Sequence, residues 1–255
     1  MAQALTEYIT GGPWEVYSYL FQEKQRIIVS FNVNRALQDQ HDDLPHCARL
    51  LVYAPIEFVD AEGLPDGDIL QPLAELEDKI MEILAKHNIA CQFVGRLTYN
   101  GVREFIFQVD PASLPHFHEI TDEIIHRSPL EMARKEELGW RFFDENIRPS
   151  LPMWQQIQNR HRLEMLETAG VDLEIPHQLE HFFSGTAVQL LTIANQLQQD
   201  GFQLVSHQNS QLTLALHNTY LDLDSLTDLT TTLHNYAAAL GASYEGWQVN
   251  EQMSN

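Results

Sequence analysis

The sequence predicts an α+β protein of two domains, 1–160 and 161–255. Three observations lead there. Short stretches of alternating apolar residues are interleaved with stretches of helical spacing throughout the chain. A single Asn100-Gly101 pair joins two apolar runs in the first half. The basic residues stop abruptly at Arg162.

In the first domain, Trp14 to Phe21 and Arg26 to Val33 alternate apolar and polar residues and read as strands, with Gln22 to Gln25 as their turn. The apolar run Arg49 to Pro55 suits a central strand, and the Gly- and Pro-containing Asp60 to Asp68 a loop. Leu73, Leu76, Ile80, Ile83 and Leu84 mark a helix over Leu70 to His87. Cys91 to Tyr99 and Val102 to Val109 form a hairpin, because Asn-Gly tolerates the positive φ that a tight turn requires. A helix follows around Leu114 to His126, and Trp140 to Phe143 reads as one more short strand. The result is an antiparallel sheet with packed helices.

Pro149 and Pro152 interrupt the pattern before a helix over Met153 to Ala169, stopped at Gly170. Strand Gln178 to Phe183 comes next, then helix Thr186 to Gln199 with Val188, Leu191, Ala194 and Leu197 on one side. Phe202 to His207 and Leu212 to Leu216 form a hairpin. Helix Leu226 to Leu240, with Ser225 and Asp228 spaced as a capping box, leads to a last strand, Tyr244 to Val249. The order β-α-β-β-α-β is the ferredoxin-like split βαβ arrangement.

The formal net charge of the 255 residues is −21. Residues 1–162 hold 25 acids and all 15 bases, whereas residues 163–255 hold 11 acids and neither Lys nor Arg. Affinity for nucleic acid comes largely from Lys and Arg displacing counterions, so direct binding to nucleic acid or to anionic membranes is not expected. A basic protein would instead be attracted, with faster encounter at low salt. No run of about 18 apolar residues is present, and Met1 to Thr10 lack a secretory leader pattern. Cys47 and Cys91 stand alone, as buried thiols of a reducing compartment do, and a cytoplasmic location is expected.

No phosphate-binding loop, GxGxxG, GxSxG or HExxH motif occurs. His116, His118 and Glu119 would be the ligands of a metal-dependent hydrolase, but positions two apart diverge at the start of a helix. His177 and His181 would share a helix face, yet their segment reads as a strand. Glu77-Asp78 and Glu136-Glu137, read as adjacent acids on helices, point apart. Catalytic residues, metal ligands and a cofactor are therefore not expected. Trp140, Phe142 and Phe143 suit a core or a domain junction. Tyr244-Glu245-Gly246-Trp247 sets an acid and a glycine between two aromatics, either as protein-contact residues or as an aromatic edge strand with a bulge at the glycine.

Two family resemblances rest on particular residues. Pro176 to Phe182, Gly201-Phe202 and Gly241 to Trp247 resemble the regulator of ribonuclease activity B family, protein inhibitors of ribonuclease E, over roughly Leu166 to Asn250. That family ends in G-x-Y-D-G-W. Here the spacing has one extra residue, and Glu245 replaces Asp. Trp14, Glu62 to Pro65, Leu76 to Asp78 and Gly101 to Phe105 resemble a bacterial domain of unknown function, number 695, over roughly Trp14 to Pro152. The first resemblance implies a non-enzymatic regulator that docks on a ribonuclease bearing arginine-rich segments, with Tyr244, Glu245, Gly246 and Trp247 as its contact residues. The second implies no activity. An immunity-type or adaptor protein for another basic partner is the competing reading, because the simple inhibitors lack the fused first domain.

Overall fold

The computed structural model describes residues 12–22, 24–38 and 44–250. Met1 to Thr10 lie outside that range. The chain divides into two compact units between Pro149 and Ser150. The sequence places the boundary at 160/161, inside a helix that belongs wholly to the second unit, where its residues pack on that unit's core.

The first unit is built on a six-stranded antiparallel sheet. Its strands are β1 (Trp14–Phe21), β2 (Gln25–Asn32), β3 (His46–Tyr53), β4 (Cys91–Tyr99), β5 (Val102–Val109) and β6 (Glu131–Leu138), in the order β1-β2-β4-β5-β3-β6. Helix α1 (Val33–Ala36) follows β2. Helices α2 (Leu70–Lys86) and α3 (Leu114–Arg127) connect β3 to β4 and β5 to β6. The segment β3-α2-β4-β5-α3-β6 is therefore itself a split βαβ pair, extended at β4 by the β1–β2 hairpin. The tandem of two such folds is not visible in sequence because β6 reads EMARKEEL. Its helix-facing side carries Arg134, whose Nη1 donates to Thr121 Oγ1 at 2.8 Å and Asp122 Oδ1 at 2.6 Å. A polar contact to α3 thus replaces the apolar side chain that would mark a strand, and Glu136 and Glu137 lie on β6 rather than on a helix.

Leu50, Leu73, Leu84, Phe105, Phe107 and Phe117 fill the layer between the sheet and α2–α3. The opposite face meets α4 (Arg141–Asn146). Ile147 lies so close to Gly95 that a Cβ there would sit 2.8 Å from Ile147 Cγ2. The expected strand Trp140 to Phe143 is instead the start of this helix. Ion pairs at helical spacing, Arg141–Glu145 at 2.8 Å and Asp144–Arg148 at 2.9 Å, stabilise it, while Trp140 and Phe143 are buried beneath. Glu104, 1 % exposed, accepts from Arg49 Nη1 and Tyr99 Oη, each at 3.0 Å. Cys47 and Cys91 are buried free thiols whose pKa burial pushes up to about 12.

The second unit opens with helix α5 (Leu151–Thr168). Strands β7 (His177–Ser184), β8 (Gln203–Gln208), β9 (Gln211–Thr219) and β10 (Ser243–Val249) alternate with α6 (Ala187–Gln199) and α7 (Leu223–Ala239). The antiparallel sheet has the order β10-β7-β9-β8, as the β-α-β-β-α-β pattern requires. Two local expectations change. The buried face of α6 is Leu190, Ile193, Ala194 and Leu197, whereas Val188 and Leu191 are exposed. Helix α7 starts earlier, because Asp222 Oδ1 accepts from Ser225 N at 2.9 Å and caps it.

Candidate partner-binding surface of the second unit

Side chains in a regular strand alternate between faces, so Tyr244 and Trp247, three apart, would point to opposite sides. A β-bulge between Tyr244 and Gly246 adds one residue and turns both inward. Gly246 makes this possible. Its φ of +115° lies in the region that favours glycine, and a Cβ there would approach Arg162 Nη1 to 3.1 Å. Both aromatics are core residues, with Tyr244 9 % and Trp247 2 % exposed. Packed this way, they make β10 an aromatic edge strand that closes the sheet.

Buried polar bonds hold the edge strand to the helices. Trp247 Nε1 donates to Asn159 Oδ1 at 2.8 Å, Asn159 Nδ2 to Thr230 Oγ1 at 3.0 Å, and Thr230 Oγ1 to the Leu226 carbonyl at 2.8 Å. One chain of bonds thus joins β10, α5 and α7. The Asn250 amide bonds inward to Gln178 of β7, so by alternation the Trp247 carbonyl faces the open edge of the sheet. Arg162 donates to that carbonyl and lies 5.2 Å from the indole centroid, blocking part of an edge that would otherwise pair with another strand. Burial lowers the Arg162 pKa. A cavity of about 370 Å³ opens beside it, lined in part by Gln158, His161, Met165 and Glu245. His181 is fully buried. Its Nδ1 lies 2.9 Å from Tyr244 Oη, its Nε2 has no partner among the described residues, and burial and then Arg162 push its pKa down to about 3.

The opposite face of β7 and β10 carries Glu180, Phe182 and Ser184 beside Glu245, Gly246 and Gln248. The buried side chains of α6 and α7 pack on the other face. Phe182 is half-buried and pairs in register with Gly246, which has no side chain to cover it. The two acids are held in place. Glu180 accepts from Gln248 Nε2 at 3.0 Å and Asn250 Nδ2 at 2.7 Å, and Glu245 accepts from Ser184 Oγ at 2.5 Å. An aromatic flanked by two oriented carboxylates suits a cationic protein surface. Sequence reasoning missed Phe182 because Phe182 and Phe183 are equivalent until register assigns one to each face.

The histidine candidates do not converge. His116 Nδ1 meets Glu119 Oε2 at 3.2 Å, whereas His118 Nε2 lies 2.8 Å from Glu136 of β6. His177 Nε2 contacts the Asp172 carbonyl at 2.7 Å, away from the buried His181. Among the described residues no three His, Cys, Asp or Glu side chains are grouped to hold a metal ion, and no helix is long and apolar enough to cross a membrane.

Residues 156–249 match the family Regulator of ribonuclease activity B, a region that begins in α5 and ends in β10. No curated protein matches the chain. Residues 13–146, just over half of the sequence and nearly the whole of the first unit, match a second family, and the chain therefore belongs to that family of unknown function (DUF695), joined here to a segment that matches the regulator of ribonuclease activity B family.

Proposed function

We infer that this chain is a non-enzymatic regulator that binds a basic protein, a ribonuclease of the E type, through the outer face of β7 and β10. The observation that carries the reading is the half-buried Phe182, lying opposite Gly246 between the oriented acids Glu180 and Glu245. It lies in the region that matches a family of ribonuclease regulators. The net charge of −11 over residues 163–255 adds attraction for arginine-rich segments. Glu245 and Gly246 remain contact residues in this proposal, and Tyr244 and Trp247 form the scaffold behind them.

Binding kinetics on a purified E-type ribonuclease test it. Glu245→Lys should slow association most at low ionic strength, because exposed charges mainly set encounter rate. Phe182→Ala should raise the dissociation rate about 30-fold, equivalent to an anchor worth about 2 kcal/mol. If both variants keep the native circular dichroism spectrum and the native rates, this face is not the binding site.

A further inference from the structure

We propose that the groove between α2 and α3 in the first unit binds a medium-chain fatty acid carboxylate. The inference is independent of the proposed ribonuclease contact and concerns the other unit.

Two features of the groove carry it. The first is its floor. Leu76 and Ile83 of α2 face Ile120 and Ile124 of α3 around a cavity of about 310 Å³. Leu76 and Ile83 are only half-buried, unlike Leu73, Ile80 and Leu84, which the core covers fully. An aliphatic tier is thus left open above a finished core, in a recess at the small end of the ~300–1,000 Å³ typical of ligand pockets. The groove follows α2 from Leu76 to Lys86, about 15 Å at the helical rise per residue. That length suits an extended alkyl chain.

The second feature is charge. Leu76, Lys79, Ile83 and Lys86 are three or four residues apart, so aliphatic and ammonium groups alternate along one stripe of α2. Among the described residues neither lysine makes an ion pair, whereas Arg127 on the facing wall is held by Glu123 at 2.7 Å. Lys86 also complements the carbonyl end of α2, but Lys79, in the middle of the helix, has no such role. An unpaired cation pair over an aliphatic floor fits a ligand with an apolar body and one anionic head. A polyanion is disfavoured, because the chain as a whole carries −21 and two lysines offer little counterion release.

Calorimetric titration of the full-length protein tests this with two probes of equal chain length, decanoate and decyltrimethylammonium, both below micelle-forming concentrations. The expected result is saturable one-to-one binding of decanoate and weaker binding of the cationic probe. The double variant Lys79→Glu, Lys86→Glu lies on the exposed side of α2 and should lower its melting temperature by only a few degrees, from the reversed charge at the helix end, while weakening decanoate about tenfold, since each exposed charge contributes modestly. The floor variant Ile83→Asp should abolish saturable binding. The proposal is overturned if decanoate shows no saturation up to about 1 mM, if the cationic probe binds as well, or if the double variant binds decanoate unchanged.

Discussion

Replacing Trp247 by Phe would separate a scaffold residue from a contact residue. The substitution keeps an aromatic ring in a site that is 2 % exposed but removes the Nε1 donor. Asn159, also 2 % exposed, then has an acceptor without a partner, which costs about 1–3 kcal/mol. The smaller ring leaves a void, and the contact with Arg162 weakens, adding about 1 kcal/mol. The total expected loss is about 2–4 kcal/mol, confined to the second unit. Urea denaturation followed by far-ultraviolet circular dichroism measures it, and hydrogen exchange localises the loss to β7, β10 and α5. Combined with Asn159→Ala, the two losses should be less than additive by about 1–2 kcal/mol, because each removes the same bond. A loss below about 1 kcal/mol with unchanged exchange would refute the buried-bond account. A lowered ribonuclease affinity at native stability would return Trp247 to the contact surface.

Two further outcomes follow from buried ionisable groups. His181 stays neutral in the folded chain down to about pH 3, whereas the unfolded chain takes up that proton near pH 6.5. Its contribution is therefore fully present above pH 6.5 and is lost as pH falls towards 3, by about 2 kcal/mol at pH 5. His181→Gln should flatten the pH dependence of the second unit's unfolding free energy across that window, and an unchanged slope would contradict the burial argument. In the first unit, Arg49→Met leaves the buried Glu104 carboxylate with the Tyr99 hydroxyl and the more weakly acting Lys135 charge, and should cost about 3–5 kcal/mol by urea denaturation. Burial already raises the Glu104 pKa, so adding Glu104→Gln should recover most of that loss, and no recovery would show that Arg49 acts through packing on Phe142.

Much of the architecture is determined by local signals. The Asn100-Gly101 turn has both residues at positive φ, and β4 and β5 run over the predicted residues on either side of it. The β-α-β-β-α-β order of the second half is legible because each helix and strand there carries its own periodicity and stop, as at Gly201 and Gly241. The acidic bias after Arg162 needs no structure at all. Where a side chain satisfies a distant partner, the local signal misleads. Strand β6 is hidden by charges that reach α3, and Trp140 to Phe143 has strand-like residues in a helical segment whose Trp140 and Phe143 are buried against the rest of the first unit, with Arg35 5.3 Å from the Trp140 ring.

The proposed contact surface lies beyond what sequence alone determines, for a reason of parity. The sequence places an aromatic, an acid and a glycine together at Tyr244 to Trp247 and marks the glycine as a site of bulging or close approach. Which side chains face outward depends on the bulge and on the pairing of β10 with β7. One added residue in a strand exchanges the two faces, and here it sends Trp247 into the core while the register leaves Phe182 outside opposite Gly246. Propensity and charge are properties of a residue and its near neighbours. The choice of face is a property of two paired strands and the helices that cover one side of them.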